Sequence, residues 1–196
     1  MSKAERTRRL IVEKTAPIFN TKGYAGTSMS DLTQATGLTK GAIYGNFENK
    51  DEVALEAFRF NMKQITSAIT ELMDSRKGSW EKLMAFPEYY DTVFTQHGLA
   101  TGCPIVNTAP EVDDTHPVLS QAVNEAIRQW DTAIQRLVAQ GIETGQIRRS
   151  TNASEAASLM ITLIEGGVLL SKSTGNMKYL RAALDQVVTL LQSIRA

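Results

Sequence analysis

A single cysteine, Cys103, stands among 196 residues, so no internal disulfide framework can form. Histidine is almost as scarce. His97 and His116 are the only two, and they form no helical metal pair. A set of Cys103, His116 and Asp113 or Asp114 matches no zinc spacing. No acid, base and nucleophile converge in any segment. Neither an enzyme nor a metal centre is expected, and no cofactor. The first residues are polar and lack the apolar core of a signal peptide. No stretch approaches the roughly 18 continuous apolar residues of a membrane span. A cytoplasmic protein is expected. Net charge is also missing, with 21 Lys and Arg against 21 Asp and Glu. That balance alone argues against a generic nucleic-acid binder. There is no internal repeat and no low-complexity tract.

The charge is unevenly distributed, and its distribution points the other way. Residues 1 to 50 hold eight basic side chains (Lys3, Arg6, Arg8, Arg9, Lys14, Lys22, Lys40 and Lys50) against four acids (Glu5, Glu13, Asp31 and Glu48). The net +4 there leaves −4 for the remainder. A basic N-terminal module on an acidic body fits local contact with DNA. The Lys3 to Arg9 cluster could follow a phosphate backbone, or serve only as a solubilising terminus. The chain is 42% hydrophobic, enough for one or two domains with a core.

Residues 27 to 50, TSMSDLTQATGLTKGAIYGNFENK, carry the densest signal. Ser28 followed by Asp31 is a capping box. Leu32 and Ala35 give a first short helix its apolar face. Gly37 suits the left-handed stop position. Thr39 can cap a second helix, in which Ala42, Ile43 and Phe47 point inward. Lys40, Gly41, Tyr44, Gly45 and Asn46 remain on other faces. Such a surface suits the major groove: small residues permit close approach, lysine donates to guanine or phosphate, and asparagine can pair with adenine. The spacing predicts a helix-turn-helix. Its alternative is a helical hairpin with an ordinary solvated face.

The order of an N-terminal helix, Lys22-Gly23-Tyr24, Thr27-Ser28, Gly37, then Tyr44, Phe47 and Lys50-Asp51 resembles the DNA-binding domain of TetR-type bacterial transcriptional regulators. The likeness covers about residues 5 to 55. It implies an all-helical homodimer that represses transcription and releases double-stranded operator DNA when a small-molecule effector binds its C-terminal domain. Two positions depart from it. Pro17 lies inside the first helix, where it should bend the helix. Gly45 stands where a larger aromatic or histidine is common. On this reading Thr27, Ser28, Tyr44 and Lys50 hold phosphates, Thr39 caps the second helix beside them, and Lys40, Gly41, Ala42 and Asn46 face base edges. Phosphate contacts set the register and base contacts specify.

Apolar spacing predicts an all-α chain of about nine helices. A DNA-binding domain of residues 1–48 precedes an effector-sensing and dimerisation domain of residues 49–196. The first helix covers residues 4–21, with Leu10, Ile11, Ile18 and Phe19 inward, and Lys22-Gly23 ends it. Asn49 caps a long helix to about residue 75. A helix from Gly78-Ser79 is broken at His97-Gly98. Pro104 opens a short irregular helix, and residues 110–117 form a loop with Glu111, Asp113 and Asp114 as caps or solvated surface. Helix 117–144 stops at Gly145. Helices 153–172 and 176–195 are the most apolar. In the latter, Leu180, Leu184, Val187, Leu191 and Ile194 recur in an a/d rhythm that suits a helix seam. A four-helix dimer interface with a second copy is expected, with burial inside one chain as the alternative. Two recognition helices about one DNA turn apart would then read a palindrome.

Candidate effector residues are Phe86, Tyr89, Tyr90, Phe94 and Trp130, which could line a cavity or simply form core. Asn107 and Thr162 could orient an apolar ligand. Gly166-Gly167 offers room for a ligand or close helix packing. Gly102-Cys103-Pro104 reads as a helix start, where a thiol can become more reactive. This segment and Lys172 resemble the electrophile-responsive branch of the same regulators. Cys103 is therefore a candidate sensor, or a small buried residue.

Overall fold

A computed structural model describes residues 2–98, 102–112 and 114–196. Among the described residues ten helices follow one another: α1 (Lys3–Gly26), α2 (Met29–Thr36), α3 (Lys40–Tyr44), α4 (Lys50–Asp74), α5 (Ser79–Leu83), α6 (Ala85–His97), α7 (Pro104–Val112), α8 (Pro117–Glu143), α9 (Ala153–Thr174) and α10 (Lys178–Ile194). Helices α5 and α6 are separated only by Met84, whose backbone stays right-handed helical. Taken as one bent helix they give the nine expected. No strand occurs among the described residues. One isolated antiparallel bridge joins Ile147 to Arg195.

The chain divides into two compact units. The first comprises residues 1–64 and 101–124, and the second residues 65–100 and 125–196. The boundaries fall inside α4 and α8. The first unit thus reaches beyond a module ending at residue 48, because α7 packs on α1.

In the first unit Ile11, Ala16, Phe19, Leu32, Ile43, Phe47, Val53 and Ala57 form the core. Leu10 is 38% exposed and so does not face inward as expected. Helix α1 passes through Pro17 and breaks instead at Gly23 (φ 73°, ψ 177°), then resumes for a last turn. Asn49 caps α4, its Oδ1 accepting the Glu52 N–H at 2.9 Å. The expected 110–117 loop is shorter, since α7 continues through Pro110 to Val112.

In the second unit α9 and α10 pack closely. Gly175 adopts φ 65° to turn the chain between them. The buried Ser171 hydroxyl accepts the Leu180 N–H at 2.8 Å and so caps α10 from its neighbour. Leu180, Leu184, Val187 and Leu191 are buried within the chain itself. The a/d rhythm of α10 therefore marks an intrachain seam, the alternative held open by the sequence. By length and hydropathy α9 is sufficient to cross a membrane. One side of it instead buries Ala156, Ala157, Met160, Ile164, Gly167 and Val168.

Candidate nucleic-acid interface

Two helix starts build the interface. At Ser28, Oγ accepts the Asp31 N–H at 3.2 Å, and Asp31 Oδ2 accepts the Ser28 N–H at 2.8 Å. Lys22 Nζ reaches Asp31 Oδ1 at 2.6 Å. The lysine first, and Ser28 next, hold this carboxyl well below the usual carboxylate range. Helix α2 stops at Gly37 (φ 68°). Two residues later Thr39 Oγ1 accepts the Ala42 N–H at 3.2 Å and starts α3.

The inner face is apolar and closed by an arginine. Leu32, Ile43 and Phe47 are buried. The Arg8 guanidinium lies 4.1 Å from the Phe47 ring centroid, donates to the Asn46 carbonyl and pairs with Glu52. Arg9 pairs with Glu13 at 2.6 Å. Of the basic cluster, Lys3, Arg6 and Arg9 are exposed on the first turns of α1, and Arg8 is half-buried.

The outer face presents Ser28, Thr39, Lys40, Gly41 and Tyr44 to solvent, with Ala42 half-buried. Lys40 Nζ lies 5.7 Å from the Tyr44 ring centroid, so the two share one surface. A Cβ added at Gly41 would meet no described atom within 4 Å. No described residue requires glycine there.

Three expected contacts fall elsewhere. Thr27 is only 1% exposed and its hydroxyl donates to the Gly23 carbonyl at 2.6 Å, which removes it from the phosphate-facing set. Asn46 Nδ2 donates to the Ala42 carbonyl at 2.9 Å, so its amide finishes α3 rather than standing free for adenine. Lys50 Nζ donates to the Tyr24 carbonyl at 2.6 Å and lies 4.2 Å from the Tyr24 ring centroid. Burial lowers its pKa, against nearby Asp51.

Tyr24 is the joint of this unit. Its hydroxyl donates to Asp51, and its ring meets His116 edge-on at 4.0 Å. Burial first, then Asp51, push the phenol up to about 12. The folded chain therefore holds this proton more tightly than the unfolded chain, where tyrosine titrates near about 10. That contribution is complete below pH about 10 and is lost as pH rises through the folded value. Tyr24→Phe should flatten the fall of stability across this alkaline range. An unchanged profile in pH-dependent denaturation would contradict the assignment.

Glu111, expected on a solvated loop, lies in α7 and accepts backbone N–H groups of α1. No local sequence signal marks that role. Asp113 and the His97 side chain lie outside the described residues, and no group of three or more His, Cys, Asp or Glu able to hold a metal occurs among those described.

The candidate effector residues divide between the units. Phe86, Tyr90, Phe94 and Trp130 are buried in the second unit, with Tyr89 half-buried. Tyr90 stacks on Phe94 at 6.2 Å and meets Trp130 edge-on at 6.0 Å, while Phe86 meets Trp130 at 6.5 Å. Their rings pack on one another as core. Lys172 is half-buried there, and burial lowers its pKa. Thr162 lies exposed on α9. Gly167 is held by packing, whereas Gly166 faces open space. Cys103 and Asn107 belong to the first unit. Cys103 is 1% exposed and directly precedes α7. Asn107 Nδ2 donates to the Asn20 carbonyl at 2.9 Å and Oδ1 at 3.0 Å, so its amide serves α1 rather than a ligand.

Comparison with known proteins agrees with this geometry. Residues 11–57 match the family described as bacterial regulatory proteins, tetR family, and residues 79–187 match the tetracyclin repressor-like C-terminal domain. The HTH-type transcriptional repressor DhaR of Mycobacterium sp. (strain GP1) is 26% identical over 185 residues, 94% of this chain and 89% of that protein. A TetR-family transcriptional regulator from Cytophaga hutchinsonii superposes with a TM-score of 0.93 at 38% identity, over 100% of this chain and 98% of that one. The fold is also that of the TetR-family regulator CifR, a cysteine mutant of which was solved with operator DNA (TM-score 0.80, 18% identity, 95% of each chain). The helix-turn-helix with its exposed α3 and the two matched domains lead to one assignment: this chain belongs to the tetR family and is a DNA-binding transcriptional regulator.

Proposed function

We propose that the chain represses transcription by binding a palindromic operator in double-stranded DNA as a homodimer, and that a small-molecule effector releases it. The observation that carries this reading is the outer face of α3. Lys40, Gly41 and Tyr44 are exposed on a helix whose other side is fully anchored. Lys40 reads a base edge, Gly41 lets the backbone approach the groove, and Ser28 and Tyr44 hold phosphates. The module of residues 1–48 supplies these contacts, and residues 49–196 supply sensing and dimerisation.

The outer face of α9 supports the homodimer. Leu159, Leu169 and Leu170 are 42%, 45% and 48% exposed, and the bare Gly166 lies among them. Apolar residues at this spacing on an otherwise packed helix suit a second copy of the same helix. Helix α4, continuous from Lys50 to Asp74, connects the DNA module to the sensing residues. An effector moves the equilibrium only if it prefers one of the two states. The burial of Cys103 favours a noncovalent effector over direct attack on the thiol. A modified Cys103 is the second route, favoured by its position at the start of α7.

Fluorescence anisotropy on DNA upstream of the chain's own gene, against scrambled DNA, tests the reading. Affinity should fall steeply with salt. Lys40→Ala should lose about tenfold on the operator and little on scrambled DNA. Tyr44→Ala should weaken both alike. Equal losses for Lys40→Ala would remove its base-reading role, and no DNA binding at low salt would remove the reading altogether. Release by an electrophile that Cys103→Ser abolishes would establish the second route.

A further inference from the structure

An unbroken α1 would carry a hydrogen bond from the Tyr24 N–H to the Asn20 carbonyl, the i to i−4 bond of any α-helix. Gly23, at φ 73° and ψ 177°, breaks it. Both orphaned halves are then satisfied by one face of α7. Glu111 Oε2 accepts the Tyr24 N–H at 2.6 Å, and Oε1 accepts the Ala25 N–H at 3.3 Å. Asn107 Nδ2 donates to the freed Asn20 carbonyl at 2.9 Å. Asn107 and Glu111 are four residues apart, so a single helical face presents both. The joint and the carboxylate are also complementary in space. A Cβ at position 23 would lie 2.6 Å from Glu111 Oε1, so only glycine supplies both the backbone angle and the room.

The joint leads directly to the DNA-binding helices. The Tyr24 carbonyl accepts from Lys50 and its hydroxyl donates to Asp51, the first two residues of α4. Helix α2 begins only five residues past Tyr24. The direction in which α2 and α3 leave α1 is thus decided at a peptide that α7 holds from one side and α4 from the other.

We propose that Asn107 and Glu111 are positioning residues for DNA binding. They touch no nucleic acid. They keep α1 broken at Gly23, and so fix the presentation of Lys40 and Tyr44. This rests on the DNA-binding reading above. Without the pair, the Tyr24 N–H can return to the Asn20 carbonyl, so the chain stays helical while the recognition surface turns.

The test combines two measurements on the full chain. The first is anisotropy on a duplex that the wild-type protein selects from a random library. The second is amide hydrogen exchange across residues 20–44. Glu111→Ala should weaken binding about tenfold or more, the size expected when a part-buried N–H loses a charged acceptor. Exchange at Tyr24, Ala25 and the start of α2 should change while that of α9 does not. Glu111→Gln keeps one acceptor oxygen and should recover part of the affinity. The Asn107→Ala, Glu111→Ala double variant should lose little more than the stronger single, because the pair acts on one broken bond. Wild-type affinity in Glu111→Ala, or lost affinity with unaltered exchange at the joint, would overturn the proposal. Selection of no duplex by the wild type would refute the DNA-binding reading, and unaltered exchange in Glu111→Ala would then independently refute the joint.

Discussion

Gly167→Val should destabilise the second unit by about 3 kcal/mol, near the upper end for overpacking a close-packed site. A Cβ at this position would lie 2.8 Å from the Ala183 Cβ and 3.1 Å from the Leu180 Cα. The second contact is backbone, and cannot yield without moving α10. Leu180 also donates its N–H to Ser171, so displacing it strips the cap of α10 as well. A fall in Tm of about 6–12 °C is expected for a chain of this size. Gly166 is the control one residue away. It has open space within 4 Å, so Gly166→Leu should leave the folded protomer intact. Because it lies among Leu159, Leu169 and Leu170, the same change should disrupt the proposed dimer. Sedimentation of both variants separates the two roles. A Gly166→Leu dimer of wild-type strength would place the seam on another face, and a Gly167→Val protein that melts like wild type would refute the packing argument.

Gly41→Leu should abolish operator binding, a loss of about a hundredfold or more, while leaving the fold unharmed. An added Cβ at Gly41 meets nothing, and leucine forms helix more readily than glycine by about 0.8 kcal/mol. Stability should therefore hold or rise slightly. On DNA the same side chain would stand between α3 and the floor of the groove, beside Lys40 and Tyr44. Opposite signs for stability and affinity distinguish a close-approach residue from a folding residue. Thermal denaturation and anisotropy on the same preparation decide it. Retained operator affinity would mean that this face of α3 is not the one that enters the groove.

Much of this molecule is written locally. Ser28 with Asp31, Gly37 and Thr39 announce two helix starts and the stop between them, because capping depends on residues within three or four positions. The polar remainder of α3 is legible for the same reason. The joint at Gly23 is not. Lys22-Gly23 reads as a helix stop, and only the carboxylate of Glu111, 87 residues past Tyr24, lets another turn follow. Thr27 and Asn46 carry the right chemistry for DNA, yet each hydrogen-bonds a carbonyl four residues earlier. A side chain's composition does not say which acceptor will win. The α10 stripe shows the same limit in packing. Its period specifies a helix that must bury one face, and α9 of the same chain covers it.

By itself, then, the sequence determined the helical class, the position of the helix-turn-helix and the polar face it presents. Those properties follow from periodicity, capping and charge, which act over a few residues. The tertiary structure alone decided which polar groups are already satisfied and which remain for a partner. It gave Glu111 and Asn107 to the broken bond of α1, buried Cys103, stacked the aromatic residues on one another, and left Leu159, Leu169 and Leu170 bare. Such choices depend on contacts between residues far apart in the chain, where the cost of an unsatisfied buried group outweighs local preference.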